Sequence, residues 1–173
     1  LAQPDFSVRN LLLRMNIEVL CTTDDPIDSL EYHRQIAESG FPIKVLPTWR
    51  PDKLLNTSDT DAFNTYINRL EEVSQVVITD LESLLSALKI RQKFFADHGC
   101  RLSDHGISYV PNTDFDSQRT ELLFKKIRLG ETLDTIESES LRGGILYLLL
   151  ELNAQMDWSQ QLHIGAIRNN NIR

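Results

Sequence analysis

Apolar positions along this chain alternate between short extended runs and longer stretches at helical spacing, an alternation that predicts an α/β fold rich in helix. Phe6 to Met15 places apolar residues at Phe6, Val8, Leu11, Leu12, Leu13 and Met15, which suits a short helix packed along one side. Asn16 to Thr23 is apolar and β-branched and reads as a strand, closed by Thr22-Thr23-Asp24-Asp25-Pro26. Asp25 as N-cap, Pro26 at the first helical position and Asp28 in the first turn predict a helix over Pro26 to Ser39, ended by Gly40. Phe41 to Trp49 reads as a second strand, with Ile43, Val45 and Leu46 as its buried part. Strand, helix and strand within about 35 residues form a βαβ unit, which is parallel and right-handed. The TTDD and TWRP turns then leave the carboxyl ends of their strands on one face, where open-sheet and barrel α/β proteins build their sites.

Beyond residue 58 the period becomes helical. Ser58 or Asp59 caps a helix over Asp61 to Val73, whose apolar face is Ala62, Phe63, Tyr66, Ile67, Leu70 and Val73. Ile78 or Thr79 opens a second helix, Asp80 to Asp97, with Leu81, Leu84, Leu85, Leu88, Phe94 and Phe95 on its buried side, ended by His98-Gly99. His98 there suits the negative end of the helix dipole. Gly99 to Leu102 begins a third strand, with Ser103-Asp104-His105-Gly106 as a polar cluster just beyond it. Asp114 or Asp116 caps a helix over Ser117 to Leu129, closed by Gly130. Leu133 to Met156 is a longer helix with a stripe of Ile136, Leu141, Ile145, Leu148, Leu149 and Leu152, and Gly143-Gly144 permits close helix packing or a kink. Gln161 to Ala166 (QLHIGA) alternates as a last strand, His163 facing one side and Leu162 and Ile164 the other.

Composition narrows this picture. A chain of 173 residues, 41% of them hydrophobic, suffices for one domain with a sizeable core. A net charge of −7 argues against nucleic acid or an anionic membrane as the main partner. The longest apolar run, Ile145 to Leu150, is far below the roughly 20 residues that span a bilayer. Cys21 and Cys100 each fall in an apparent strand and make neither a disulfide framework nor a zinc spacing, which points to the cytoplasm. No Gly-rich phosphate loop supports nucleotide binding. The chain opens at Leu1-Ala2-Gln3-Pro4 without an initiator Met and stops at Arg173, and reads as a piece of a longer protein.

Candidate chemistry concentrates at strand ends. In Gln161 to Asn171 a titratable imidazole, His163, is followed by Arg168 and three asparagines. Arg50 sits between Trp49 and Pro51. Capping accounts for Asp25 but leaves Asp24 without a role, and turn formation accounts for Asp104 and His105 as readily as chemistry does. No second histidine or cysteine lies close enough in sequence to Asp104 and His105 for a metal site.

The blocks TTDDPIDSLEYH, IKVLPTWRPDK, HGCRLSDHG and QLHIGAIRNNN, in this order and spacing, closely resemble uronate isomerase, also called glucuronate isomerase, over essentially the whole chain. The resemblance implies part of a distorted (β/α)8, TIM-like barrel of the amidohydrolase superfamily with a large, mainly helical insertion. Residues 1–53 would form a barrel βαβ segment, 54–158 a mainly helical region with a short barrel strand near 99–104, and 159–173 a barrel strand and site loop. The implied activity interconverts D-glucuronate with D-fructuronate and D-galacturonate with D-tagaturonate in hexuronate catabolism. Arg50 matches the arginine that grips the sugar carboxylate, while His163 and Arg168 match groups that polarise oxygens on which charge develops; Asp24, Asp104 and His105 are weaker candidates. The family's HxH pair is absent and its later Asp-x-Arg motif is expected beyond Arg173. A zinc-like divalent metal is therefore expected in a full-length parent and not on this chain alone, which is expected not to turn over substrate. The expected partners are a uronate, the rest of the same polypeptide and further copies of it in a homo-oligomer. A helical interaction or assembly module and a metal-dependent hydrolase of the same superfamily are the alternatives.

Overall fold

The computed structural model of the protein describes residues 3–111 and 114–166. Among these residues the chain forms six α-helices and four short strands. The strands come in two parallel ribbons. In the first, β1 (Val19–Cys21) pairs with β2 (Lys44–Leu46), Leu20 opposite Val45. In the second, β3 (Leu102–Ile107) pairs with β4 (Ser159–Ile164), Gly106 opposite His163. Trp49 joins the ribbons. Its N–H donates to the Leu102 carbonyl at 3.2 Å, its own carbonyl accepts from the Asp104 N–H at 2.9 Å, and a further bridge links it to Asp24. The four strands thus follow one another in chain order, all parallel, so every strand's carboxyl end opens toward the same side.

Helices α1 (Val8–Arg14) and α2 (Glu31–Glu38) flank the first ribbon, and neither contains a buried residue, so the expected packing of residues 6 to 15 along one side is not seen. Helices α3 (Thr60–Ser74) and α4 (Leu81–Asp97) lie between β2 and β3, and α5 (Ser117–Arg128) and α6 (Thr135–Gln155) between β3 and β4. Side-chain caps start all four. Asp59, Asp116 and Asp134 accept from the first turns of α3, α5 and α6, and Asp80, not Ile78 or Thr79, caps α4 through a reciprocal box with Ser83.

The core fills the space between these helices and the sheet. Phe63 of α3 meets Phe124 of α5 edge-on at 6.0 Å. Trp49 is wholly buried, edge-on to Phe95 of α4 at 5.0 Å and 6.2 Å from Trp158. Such pairs contribute about 0.5–1.5 kcal/mol beyond the area they bury. Gly144 lets α6 approach α5 closely, because a Cβ there would lie 2.3 Å from the Thr120 hydroxyl oxygen. Ile136 falls outside the stripe and is exposed; Ser138, Leu141, Ile145, Leu149 and Leu152 form the buried line instead.

Three expectations are corrected. The helix expected over Pro26 to Ser39 starts only at Glu31, after Leu30 in the left-handed region at φ 55°. Asp25 does not cap it: its carboxylate accepts from the Ile27 N–H in a local turn, and the Arg91 guanidinium holds residues 26–28 by donating to the Pro26 and Asp28 carbonyls. Ser103 to Gly106 lie inside β3 and not beyond it, and Cys100 precedes that strand. The last strand begins two residues earlier than the alternation suggests and ends at Ile164, before Gly165 at φ +69°. Arg168 lies outside the described residues.

Candidate functional site

The parallel order gathers polar side chains at the carboxyl ends of the strands. From β1 come Thr22 and Asp24, from β2 Arg50 and Asp52, from β3 Asp104 and His105, and from β4 His163. Asp24 is tightly held: Oδ2 accepts from the Thr22 hydroxyl at 2.6 Å and from the Thr48 N–H at 3.2 Å. His33 Nε2 lies 2.8 Å from the same hydroxyl. A carboxylate with these partners serves to shape the mouth of β1.

Arg50 follows the buried Trp49, and its backbone N–H donates to the Asp24 carbonyl at 2.9 Å. Its Nε donates to Asp52 Oδ2 at 2.8 Å, and its Nη1 lies 3.5 Å from Asp104 Oδ2. Nη2 is buried with no hydrogen-bond partner. A guanidinium fixed through Nε and left with an unsatisfied outer edge is prepared for a planar anion. Arg50 lines an open cavity of about 360 Å³ with Thr23, Asp24, Asp25, Asp28, Asp52 and Lys53.

Asp104 carries the site across the seam between ribbons. It is 5% exposed, and its Oδ1 lies 2.7 Å from His163 Nδ1, a close contact out of line for a hydrogen bond. The imidazole of His163 is half exposed and faces a second cavity of about 250 Å³ lined by Gly106, Ile107, Ser108 and Ala166. Arg50 and His163 thus flank opposite oxygens of one carboxylate. Asp104 and His105, weak candidates in the sequence, stand inside this group and not in a turn.

Asp52 is central and its own importance is not visible in the sequence, although it lies two residues after Arg50. Besides Arg50 Nε, its Oδ2 accepts from the Gly106 N–H at 2.8 Å. Burial raises its pKa, but the nearby His105 imidazole and the hydrogen bonds from Arg50 and Gly106 outweigh that and leave it below the ordinary carboxylate value. Nearby, Tyr66 donates to Asp25 Oδ1 at 2.9 Å, and burial together with that carboxylate pushes its phenol well above the usual range. Asn153 and Gln92 were also missed. Each is a polar residue on an apolar helix face, Gln92 four positions after Leu88 and Asn153 four after Leu149, which is the signal that could have found them.

Among the described residues no group of three His, Cys, Asp or Glu side chains converges as a metal site. The donors for the divalent metal that the resemblance implies are not assembled by these elements, and no chemistry here is routed through one. No described helix is long and apolar enough to cross a membrane.

The comparisons with known proteins agree with the geometry. The family model described as glucuronate isomerase matches residues 1–173. The uronate isomerases of Bacteroides thetaiotaomicron and Caldanaerobacter subterraneus are 45% and 44% identical to the chain over its whole length, which covers 37% of each. The crystal structure of uronate isomerase from Thermotoga maritima superposes with a TM-score of 0.87 at 32% identity, over 96% of this chain and 37% of that one. Glucuronate isomerase from Caulobacter crescentus gives 0.86 at 31% identity, over 99% and 36%. The chain spans little more than a third of the length of these relatives, yet the family model matches it over residues 1–173, both ribbons and helices α1 to α6 included, and on that ground it belongs to the glucuronate isomerase family.

Proposed function

We propose that this chain supplies the carboxylate-binding side of the active site of an aldose–ketose isomerase that interconverts D-glucuronate with D-fructuronate, and D-galacturonate with D-tagaturonate. The observation that carries the reading is Arg50, whose largely covered guanidinium is held by Asp52 through Nε, keeps Nη2 without a hydrogen-bond partner and belongs to a residue lining a polar cavity. A uronate offers that edge the planar anion it lacks. His163 flanks the other oxygen of Asp104 and its Nε2 meets the exposed Gln161 amide at 3.0 Å; once substrate displaces that amide, the imidazole would polarise a sugar oxygen on which negative charge develops in an enediol-like transition state. Arg168 would join it from the segment that follows β4. Four parallel strands with Thr22, Asp24, Arg50, Asp52 and His163 at or just past their carboxyl ends support a (β/α)8 barrel of the amidohydrolase type as the larger architecture, with the helical stretches inserted between strands. The divalent metal's donors would come from outside these residues.

The test is ketouronate formation from D-glucuronate and D-galacturonate by the full-length protein carrying these residues. Arg50→Lys keeps the charge but loses the fork, and kcat/KM should fall about 100-fold, mostly through KM. His163→Ala should fall mainly in kcat. A full-length protein inactive on both uronates would overturn the substrate assignment, and an unchanged KM in Arg50→Lys would remove the carboxylate role. The 173-residue chain by itself should form no ketouronate, since it holds one side of the site.

A further inference from the structure

Behind Asp52 runs a line of buried polar groups that the reaction just described does not use. Gln92 of α4, Asn153 of α6, and Ser103 and His105 of β3 are each no more than 1% exposed. Gln92 Nε2 donates to Asn153 Oδ1 at 3.0 Å, which fixes the Asn153 amide with its NH2 turned toward the sheet. That NH2 lies 3.0 Å from the Ser103 hydroxyl oxygen and 3.2 Å from His105 Nε2. An amide NH2 only donates, so Nε2 must accept and the ring's single proton sits on Nδ1. Nδ1 faces Asp52 Oδ1 at 3.4 Å, slightly long for a hydrogen bond, and neither atom has another partner. A second proton on Nε2 would meet the amide hydrogens head-on in a site without water access.

We propose that Asn153 and His105 are positioning residues for uronate binding: Asn153 selects the Nδ1–H tautomer of His105, His105 holds Asp52 through that hydrogen, and Asp52 aims the Arg50 guanidinium. The inference rests on Arg50 being the carboxylate grip and adds what directs it. His105 stands between Asn153 and the cavity-lining Asp52, so Asn153 touches no substrate and acts only through the line. Without a donor at Nδ1, the Asp52 oxygen that faces His105 is left buried and unpaired, and the carboxylate is free to rotate away from Arg50 Nε.

Two measurements on the full-length protein test this. In the first, histidine is labelled with 15N and the His105 signals are assigned by their loss in His105→Asn. The proposal requires the neutral ring to carry its proton on Nδ1; a neutral ring protonated at Nε2 overturns it whatever the variants do. In the second, steady-state kinetics compare Asn153→Asp, His105→Asn and Arg50→Lys. Asn153→Asp replaces the donor by an acceptor and should move the proton to Nε2, raising KM for the uronate about tenfold with kcat little changed, the scale of one hydrogen bond to a charged group. His105→Asn keeps an NH near the Nδ1 position and should stay within about threefold of the wild-type KM. If Arg50→Lys raises KM while a folded Asn153→Asp does not, the line is structural and the inference fails although the grip stands. If Arg50→Lys leaves KM unchanged, the grip itself is refuted, and the spectrum alone decides the His105 tautomer.

Discussion

At the scale of single residues, Asp52 connects stability to pH. Its folded pKa lies below the ordinary 3.8, so its contribution to stability is complete above that value and is lost as the pH falls through the lower folded value. Asp52→Asn should therefore unfold at lower urea concentration than the wild type near neutral pH, with the gap closing in acid below 3.8; a gap that stays constant to the most acidic folded conditions would contradict the ionised Asp52. His163 stood out as a titratable group in an alternating strand and Arg50 as a cation just past one, and the resemblance of their blocks to a family added the roles proposed for them. Asp52 did not stand out, since a carboxylate after a proline reads as a turn residue. Asn153 was hidden by its neighbours. Periodicity records that positions 141, 145, 149 and 152 face inward and says nothing about what a polar residue on that face must meet.

At the scale of elements, all four strands and most helices were readable as to place, while strand ends and the start of α2 were not. Aspartate caps mark the starts of α3 to α6 in the sequence and glycines mark the ends of α4 and α5, because unpaired backbone groups at helix ends demand particular side chains. The strands of a parallel sheet need no such signals, and Ser103-Asp104-His105-Gly106 has a loop's composition while being buried in β3. The start of α2 was misplaced for a tertiary reason: a cation on α4, 65 residues away, ties down the segment that local rules make helical. Arg91→Met should therefore destabilise the fold by about 1–3 kcal/mol in urea unfolding and loosen residues 26–30 in hydrogen exchange, since the buried Pro26 carbonyl and the part-buried Asp28 carbonyl lose their donors. Gly144→Ala should cost about 1–3 kcal/mol through its clash with Thr120, and part of that should return in the double variant with Thr120→Ala, which removes both the hydroxyl oxygen and the methyl that crowd the new Cβ, although it gives up the hydroxyl bond to the Asp116 carbonyl.

At the scale of the molecule, the sheet is unequally covered. Every residue of β1 and β4 is exposed, with Val19 at 50% and Ile164 at 53%. Exposed parallel strands with apolar side chains invite further strands. The 173-residue chain should accordingly associate with rising concentration in sedimentation experiments and bind a hydrophobic dye while folded; a monomer at all concentrations without dye binding would show these edges to be self-sufficient. The site straddles the seam between the ribbons, with Arg50 and Asp52 on one bank and Asp104, His105 and His163 on the other. Trp49 is the clasp across it, both of its backbone groups committed to β3 and its ring sunk between Phe95 and Trp158. Clasp and grip are consecutive residues. Any fluctuation that opens the first carries the second away from its partners, so the exchange rate of a single indole-bearing residue's amide gauges how much of the time a working site exists.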